Sequence, residues 1–259
     1  MSEILILNII IAISAGLASG YLGSLMVLEK MALVGDALSH VALPGLALGL
    51  IFNFNPFIGA FITLYLSAIV IWHLGRVTRL GFETLIGAVF TLALAVGILI
   101  TPEPELLEAL FGNISSVTHV DAVITVLISA VSVILTRMIY RSIILSLISE
   151  ELAFSNGIKV ARTNLIFLLL VSTIVAIGIK ITGTLLVGFL VIVPAAAART
   201  ISQNLARYSL TSSAFGVFSA SGGILLSNYL NLPPGPLVVL TGISIFAAVV
   251  ILKMFRKNF

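Results

Sequence analysis

Residues 4–28, 41–75, 84–102, 122–136, 163–179, 181–198 and 208–252 contain no Asp, Glu, Lys or Arg. Runs of that length suit helices that cross a bilayer, which need about 20 mostly apolar residues, and not barrel strands, which need about 10 alternating ones. Two of the runs are too long for one crossing and carry their own turn signals, Asn53-Phe54-Asn55-Pro56 and Asn231-Leu232-Pro233-Pro234-Gly235-Pro236. Each of these is read as a helical hairpin. The expected spans are 4–28, 34–53, 57–75, 84–101, 120–140, 163–180, 182–198, 208–230 and 236–254.

Composition agrees with this reading. The chain of 259 residues is 60% hydrophobic and 9% charged, with a mean hydropathy of +1.25, whereas soluble domains carry roughly 25% charged residues. Disorder requires low hydrophobicity, and a disulfide scaffold requires cysteines, of which there are none. The expected fold is all-α, a polytopic integral membrane protein of eight or nine transmembrane helices in a single domain, 1–259. The crossing in question lies between residues 163 and 198, where Lys180 separates two short runs.

Alternating the nine spans puts Lys30, Arg76, Arg79, Arg137, Arg141, Lys159, Arg162, Arg199, Arg207, Lys253, Arg256 and Lys257 on one side and Lys180 alone on the other. Basic residues in short loops mark the cytoplasmic face, so the N-terminus is expected outside and the C-terminus inside, in a prokaryotic cell membrane. Glu3, Glu103, Glu105, Glu108 and Asp121 fall on the outer side. Acidic loops translocate easily, and such a surface also attracts cations. His119, next to Asp121, is a possible outer cation contact or a plain surface histidine.

The chain lacks the G-x-x-x-x-G-K-[ST] phosphate cradle, the H-E-x-x-H zinc site and the G-x-S-x-G nucleophile elbow. An enzyme is therefore the weaker class, and any ATP hydrolysis would need another polypeptide. No permanently bound cofactor and no nucleic-acid partner is expected.

Ionisable residues inside a membrane segment are costly and point to function. Asp36 and His40 stand four apart in Val34-Gly35-Asp36-Ala37-Leu38-Ser39-His40-Val41-Ala42-Leu43-Pro44-Gly45, which puts both on one helical face. A carboxylate and an imidazole together suit a divalent first-row metal, with water, backbone or a second copy of the chain completing the shell. The alternatives are an Asp–His hydrogen bond that neutralises a buried polar pair, and a helix start with Asp36 near the cap. Pro44 lacks an amide hydrogen and crowds the carbonyl of His40 four residues earlier. In the inner connection, Ser149 followed by Glu150 and Glu151, with Asn156-Gly157 at the end, describes a short capped helix over about 149–158. Its Leu152, Ala153 and Phe154 form a small apolar face suited to a soluble partner or to the membrane surface.

Gly35-Asp36-Ala37-Leu38-Ser39-His40 with Ala42-Leu43-Pro44-Gly45 resembles the signature of the ABC-3 family of metal permeases, the membrane subunits of bacterial and archaeal zinc and manganese importers. Leu110-Phe111-Gly112-Asn113-Ile114, residues 150–157, Gly183-Thr184-Leu185-Leu186-Val187 and Pro194-Ala195-Ala196-Ala197-Ala198-Arg199 extend the resemblance along nearly the whole chain. It implies a homodimer around the path, a cytoplasmic pair of ABC ATPases that uses the ATP, and an extracellular metal-binding protein that delivers Zn2+ or Mn2+. It further implies that Asp36 and His40 hold the ion in transit, and that Glu150, Glu151, Leu152, Phe154 and Gly157 belong to the coupling helix that meets the ATPase. A permease for a metal chelate such as a siderophore or cobalamin, and a partner-free cation channel or carrier, are the alternatives. The drawn spans leave Asp36 close to the inner end of its helix, where a deeper position is expected of a transit site.

Overall fold

Each charge-free run forms helix in the computed structural model, which describes residues 3–78, 80–101, 118–184 and 187–257. Among these residues the regular elements are α1 (Glu3–Leu28), α2 (Val34–Val41), α3 (Leu43–Ile51), α4 (Pro56–Thr78), α5 (Phe82–Ile100), α6 (His119–Ile148), α7 (Glu150–Ser155), α8 (Val160–Thr182), α9 (Val187–Ile201), α10 (Leu205–Leu230) and α11 (Pro234–Lys257). The acidic residues Glu103, Glu105 and Glu108 and the motif beginning at Leu110 lie outside the described residues.

Both hairpins close where the turn signals stand. Asn53 and Asn231 adopt positive φ, 55° and 53°, a conformation asparagine tolerates because its short amide bonds locally. Between α2 and α3 the helix breaks at Ala42, which itself stays helical at φ −71° and ψ −24°. Pro44 sits in the first turn of α3, where its missing amide hydrogen is harmless. The two pieces together make one bent crossing, Val34–Ile51.

Eight of the described helical segments are long and apolar enough to cross a membrane. The expected span over 182–198 is not a full crossing. Gly183, with φ 76°, ends α8, and α9 begins only at Val187 and has 15 residues. At 1.5 Å per residue it is about 22 Å long, short of a hydrocarbon core of about 30 Å. Gly183 and Thr184, which are not helical, are buried in protein, as backbone away from water requires. At its other end α6 runs on to Ile148, beyond the 120–140 expected, because nothing in Tyr140-Arg141-Ser142 stops a helix once it has left the apolar layer.

Close packing is carried by glycine. Gly16 meets Gly216 and Gly20 meets Ser212 backbone to backbone. The residue numbers run in opposite senses along the two helices, so α1 and α10 are antiparallel. Ser212 Oγ donates to the Gly20 carbonyl at 2.5 Å, and the Ser24 and Ser209 hydroxyls bond at 2.9 Å. Hydroxyl bonds of this kind and close van der Waals contact hold helices together where lipid is as apolar as leucine. A central apolar cluster joins α1, α2, α3, α4 and α8, with Leu22, Leu25, Leu38, Leu64 and Ile174 fully buried. Among the candidate spans α5 is the least buried, and its Leu92, Ile98 and Leu99 point outward as lipid-facing residues do.

Candidate functional site

Asp36 and His40 lie on α2, within the bent crossing; of the two structural alternatives for them, the hydrogen bond is not formed, whereas Asp36 does stand in the first turn of the helix. The cap position is Leu33, which makes no side-chain bond, and Asp36 is the third helical residue. No hydrogen bond or ion pair joins Asp36 to His40 among the described residues, although the carboxylate is near enough for its charge to act on the ring. His40 Nδ1 is buried and has no hydrogen-bond partner. A buried polar nitrogen without a partner is expensive, and the imidazole is backed on its other side by the Phe90 ring of α5, 5.5 Å centroid to centroid. Thr184 Oγ1 is a second buried atom without a partner.

What holds this stretch of α2 comes from α9 and the segment before it. Ser39 Oγ lies 2.6 Å from the Thr184 carbonyl and 2.6 Å from the carbonyl of Asp36. Gly188, in the first turn of α9, faces the backbone of Asp36 so closely that a Cβ there would stand 2.6 Å from Asp36 Cβ and 2.7 Å from its Cα. At the far end of α9 the Arg199 guanidinium donates to the Val27 carbonyl, at the end of α1. Gly188 and Arg199 are eleven residues apart, about 16 Å along a helix. The first turn of α9 thus packs against Asp36, while its other end reaches the end of α1.

Ser39 and Gly188 were not singled out by sequence reasoning as parts of the site. Ser39 lies inside the quoted motif, and a buried serine between two ionisable residues on a membrane helix was the available signal. The role of Gly188 depends on contact between distant segments and carries no local signal. Gly188→Ala should push Asp36 away while leaving the helices intact, since overpacking typically costs 1–3 kcal/mol and the obstacle here is backbone. Metal uptake per folded molecule is expected to fall about tenfold or more, the equivalent of about 1.4 kcal/mol. Unchanged uptake would show that the α2–α9 contact does not position Asp36.

Among the described residues no group of three or more His, Asp, Glu or Cys converges. At this place one copy of the chain brings together one carboxylate, of Asp36, and one imidazole, of His40. The remaining candidates are placed elsewhere. His119 Nε2 lies 3.1 Å from Glu3 Oε1, an exposed pair that ties α6 to α1. Asp121 forms a capping box with Thr118: its Oδ2 accepts from the Thr118 amide at 3.0 Å and the hydroxyl at 2.8 Å. On α7, Ser149 Oγ accepts the Leu152 amide, Asn156 Nδ2 donates to the Leu152 carbonyl, and Gly157 closes the turn at φ 74°. Glu150 and Glu151 stand in its exposed first turn. Phe154 is 81% exposed and Leu152 41%, whereas Ala153 is fully buried. The apolar face expected there is therefore Leu152 and Phe154, with Ala153 turned inward to seat the helix.

Residues 1–253 match the ABC 3 transport family. The manganese transport system membrane protein MntC of Listeria monocytogenes is 31% identical over 242 residues, covering 92% of this chain and 86% of that protein. The high-affinity zinc uptake system membrane protein ZnuB of Buchnera aphidicola subsp. Baizongia pistaciae is 32% identical, covering 88% and 90%. Among solved structures, PsaBC from Streptococcus pneumoniae in complex with Fab superposes with a TM-score of 0.83 at 30% identity, over 95% of this chain and 91% of that one.

Proposed function

This chain belongs to the ABC 3 transport family, and on that premise we propose that it is the membrane-spanning permease subunit of an ATP-driven importer of zinc or manganese. The observation that carries the proposal is the pair Asp36 and His40, on one face of a membrane helix, with His40 Nδ1 buried and unpartnered. The names of relatives that transport manganese and zinc support it. A carboxylate and an imidazole give a divalent ion two ligands of intermediate hardness, in a bilayer where a bare dication has no other solvent. Two copies of the chain related by a two-fold axis would double that set to four. An extracellular metal-binding protein delivers the ion, and a cytoplasmic ATPase pair, absent from this polypeptide, supplies the energy.

In this reading the N-terminus is outside and the C-terminus cytoplasmic, as the distribution of basic residues favours. That orientation puts α7 on the cytoplasmic side, with Phe154 and Leu152 presented to the ATPase. Phe154→Asp replaces a protruding ring by a charge and is expected to abolish co-purification with the ATPase and metal-stimulated ATP hydrolysis, without changing the amount of chain in the membrane. If both survive, α7 is not the coupling element. The test of the function itself is total zinc and manganese in metal-limited cells lacking the chain, with and without the wild-type gene. Restoration of one metal names the cargo, and restoration of neither overturns the proposal.

A further inference from the structure

Away from Asp36 and His40, a groove of about 360 Å³ opens between α4, α6 and α8, lined by Tyr65, Val131, Leu135, Ile166, Leu169 and Thr173. Its walls are almost wholly apolar; of its polar residues Tyr65, Ser132 and Thr173, Tyr65 Oη and Thr173 Oγ1 satisfy each other at 2.6 Å. The groove lies within membrane-spanning helices and faces outward, with Val131 53% exposed.

At one end the groove is crowned by cations. Arg162 precedes Ile166 by one helical turn and so shares the groove face of α8, and Lys159 precedes that helix at its cap. On α4 the groove face runs from Tyr65 through Trp72 to Arg76 at helical spacing. Trp72 is fixed there by its Nε1 donating to the Ala161 carbonyl at 2.6 Å, and the Arg76 guanidinium lies 5.0 Å from the Trp72 ring centre. Among the described residues no carboxylate is within ion-pair distance of Arg76, Lys159 or Arg162. From Arg162 to Thr173 is eleven residues, about 16 Å, which matches half of a hydrocarbon core of about 30 Å. The groove is one leaflet deep.

We propose that this groove binds an anionic glycerophospholipid of the leaflet on the basic face. One acyl chain lies along Leu135, Ile166 and Leu169, and the phosphate sits among Arg76, Lys159 and Arg162. Among the described side chains, an apolar slot with basic residues at its headgroup end complements that ligand and not a neutral lipid or a polar peptide. A general excess of basic residues on one face would not be aligned with the slot. Arg137 and Arg141 on α6 provide the comparison: Arg137 follows Leu135 by two residues, which turns it to the opposite side of the helix.

Trp72 is the single tryptophan of the chain and stands at the mouth of the groove, so its fluorescence reports occupancy. The full chain is reconstituted in vesicles of phosphatidylcholine and phosphatidylglycerol, with one or the other brominated in its acyl chains. Brominated phosphatidylglycerol is expected to quench Trp72 at about thirtyfold or more lower mole fraction than brominated phosphatidylcholine, as two or three phosphate-facing cations imply. The double variant Lys159→Gln/Arg162→Gln should lose that preference, while Arg137→Gln/Arg141→Gln keeps it. Val131→Phe, which narrows the slot and leaves every charge in place, should weaken quenching by the anionic lipid in folded protein. Equal quenching by the two lipids in the wild type, or equal loss in both charge variants, overturns the proposal. So does a disulfide between two Val131→Cys chains, since the slot is then covered by a second copy.

Discussion

Cells whose only copy of the chain carries Asp36→Ala or His40→Ala should accumulate no more zinc or manganese than cells without it, measured as total cell metal under limitation. Changes in groups that merely support a metal ligand already cost 10–100-fold, so loss of a ligand itself should cost more than about a hundredfold. Asp36→Asn is the sharper variant. It keeps the shape of the side chain and removes the charge, and it should fail as completely as the alanine. The amount of chain in the membrane should not change, because neither side chain makes a hydrogen bond whose loss would strand a partner. Normal uptake in both alanine variants would remove the ligand role and return His40 to a packing residue against Phe90.

The second large effect is on folding. At Gly16 an added Cβ would stand 2.5 Å from the Gly216 carbonyl oxygen and 2.8 Å from its carbon. Ordinary overpacking is relieved by neighbouring side chains at 1–3 kcal/mol, but here both obstacles are helix backbone, and relief requires α1 and α10 to separate. Among the described helices that pair is the most extensively packed, and its separation would also break the bond from Ser212 Oγ to the Gly20 carbonyl. Gly16→Val should therefore leave little chain surviving detergent extraction and mild heating, read as monodisperse protein by size exclusion. Gly87→Ala is the matched control. Nothing lies within 4 Å of a Cβ there, and alanine in place of a helical glycine is favourable by up to about 1 kcal/mol. Equal survival of the two variants would show that the α1–α10 contact is not close-packed.

The bundle and its chemistry were legible to different degrees. Every run without a charge except 181–198 became one or two helices long enough to cross a membrane, because exclusion of charge from hydrocarbon is a property of the segment alone. Asn53 and Asn231 marked their turns correctly, since positive φ is a local preference, and Ser149 and Gly157 marked the limits of α7 for the same reason. The shared face of Asp36 and His40 followed from helical spacing. The split role of the short connecting helix did not: Ala153 and Phe154 are adjacent and both apolar, yet one is sealed against the bundle and the other is bare.

Hydropathy sums each segment in isolation, so it could state which residues leave water but not which neighbour receives them. Leucine against lipid and leucine against another helix have nearly the same free energy, and the outward faces of α5 and α6 therefore look in sequence like the buried face of α8. Depth along the membrane normal is hidden in the same way. That α9 starts partway through the bundle, that Gly188 seats Asp36 there, and that Ser39 ties it to Thr184 all depend on contacts between residues about 145 positions apart. Such contacts exist only once the helices have packed.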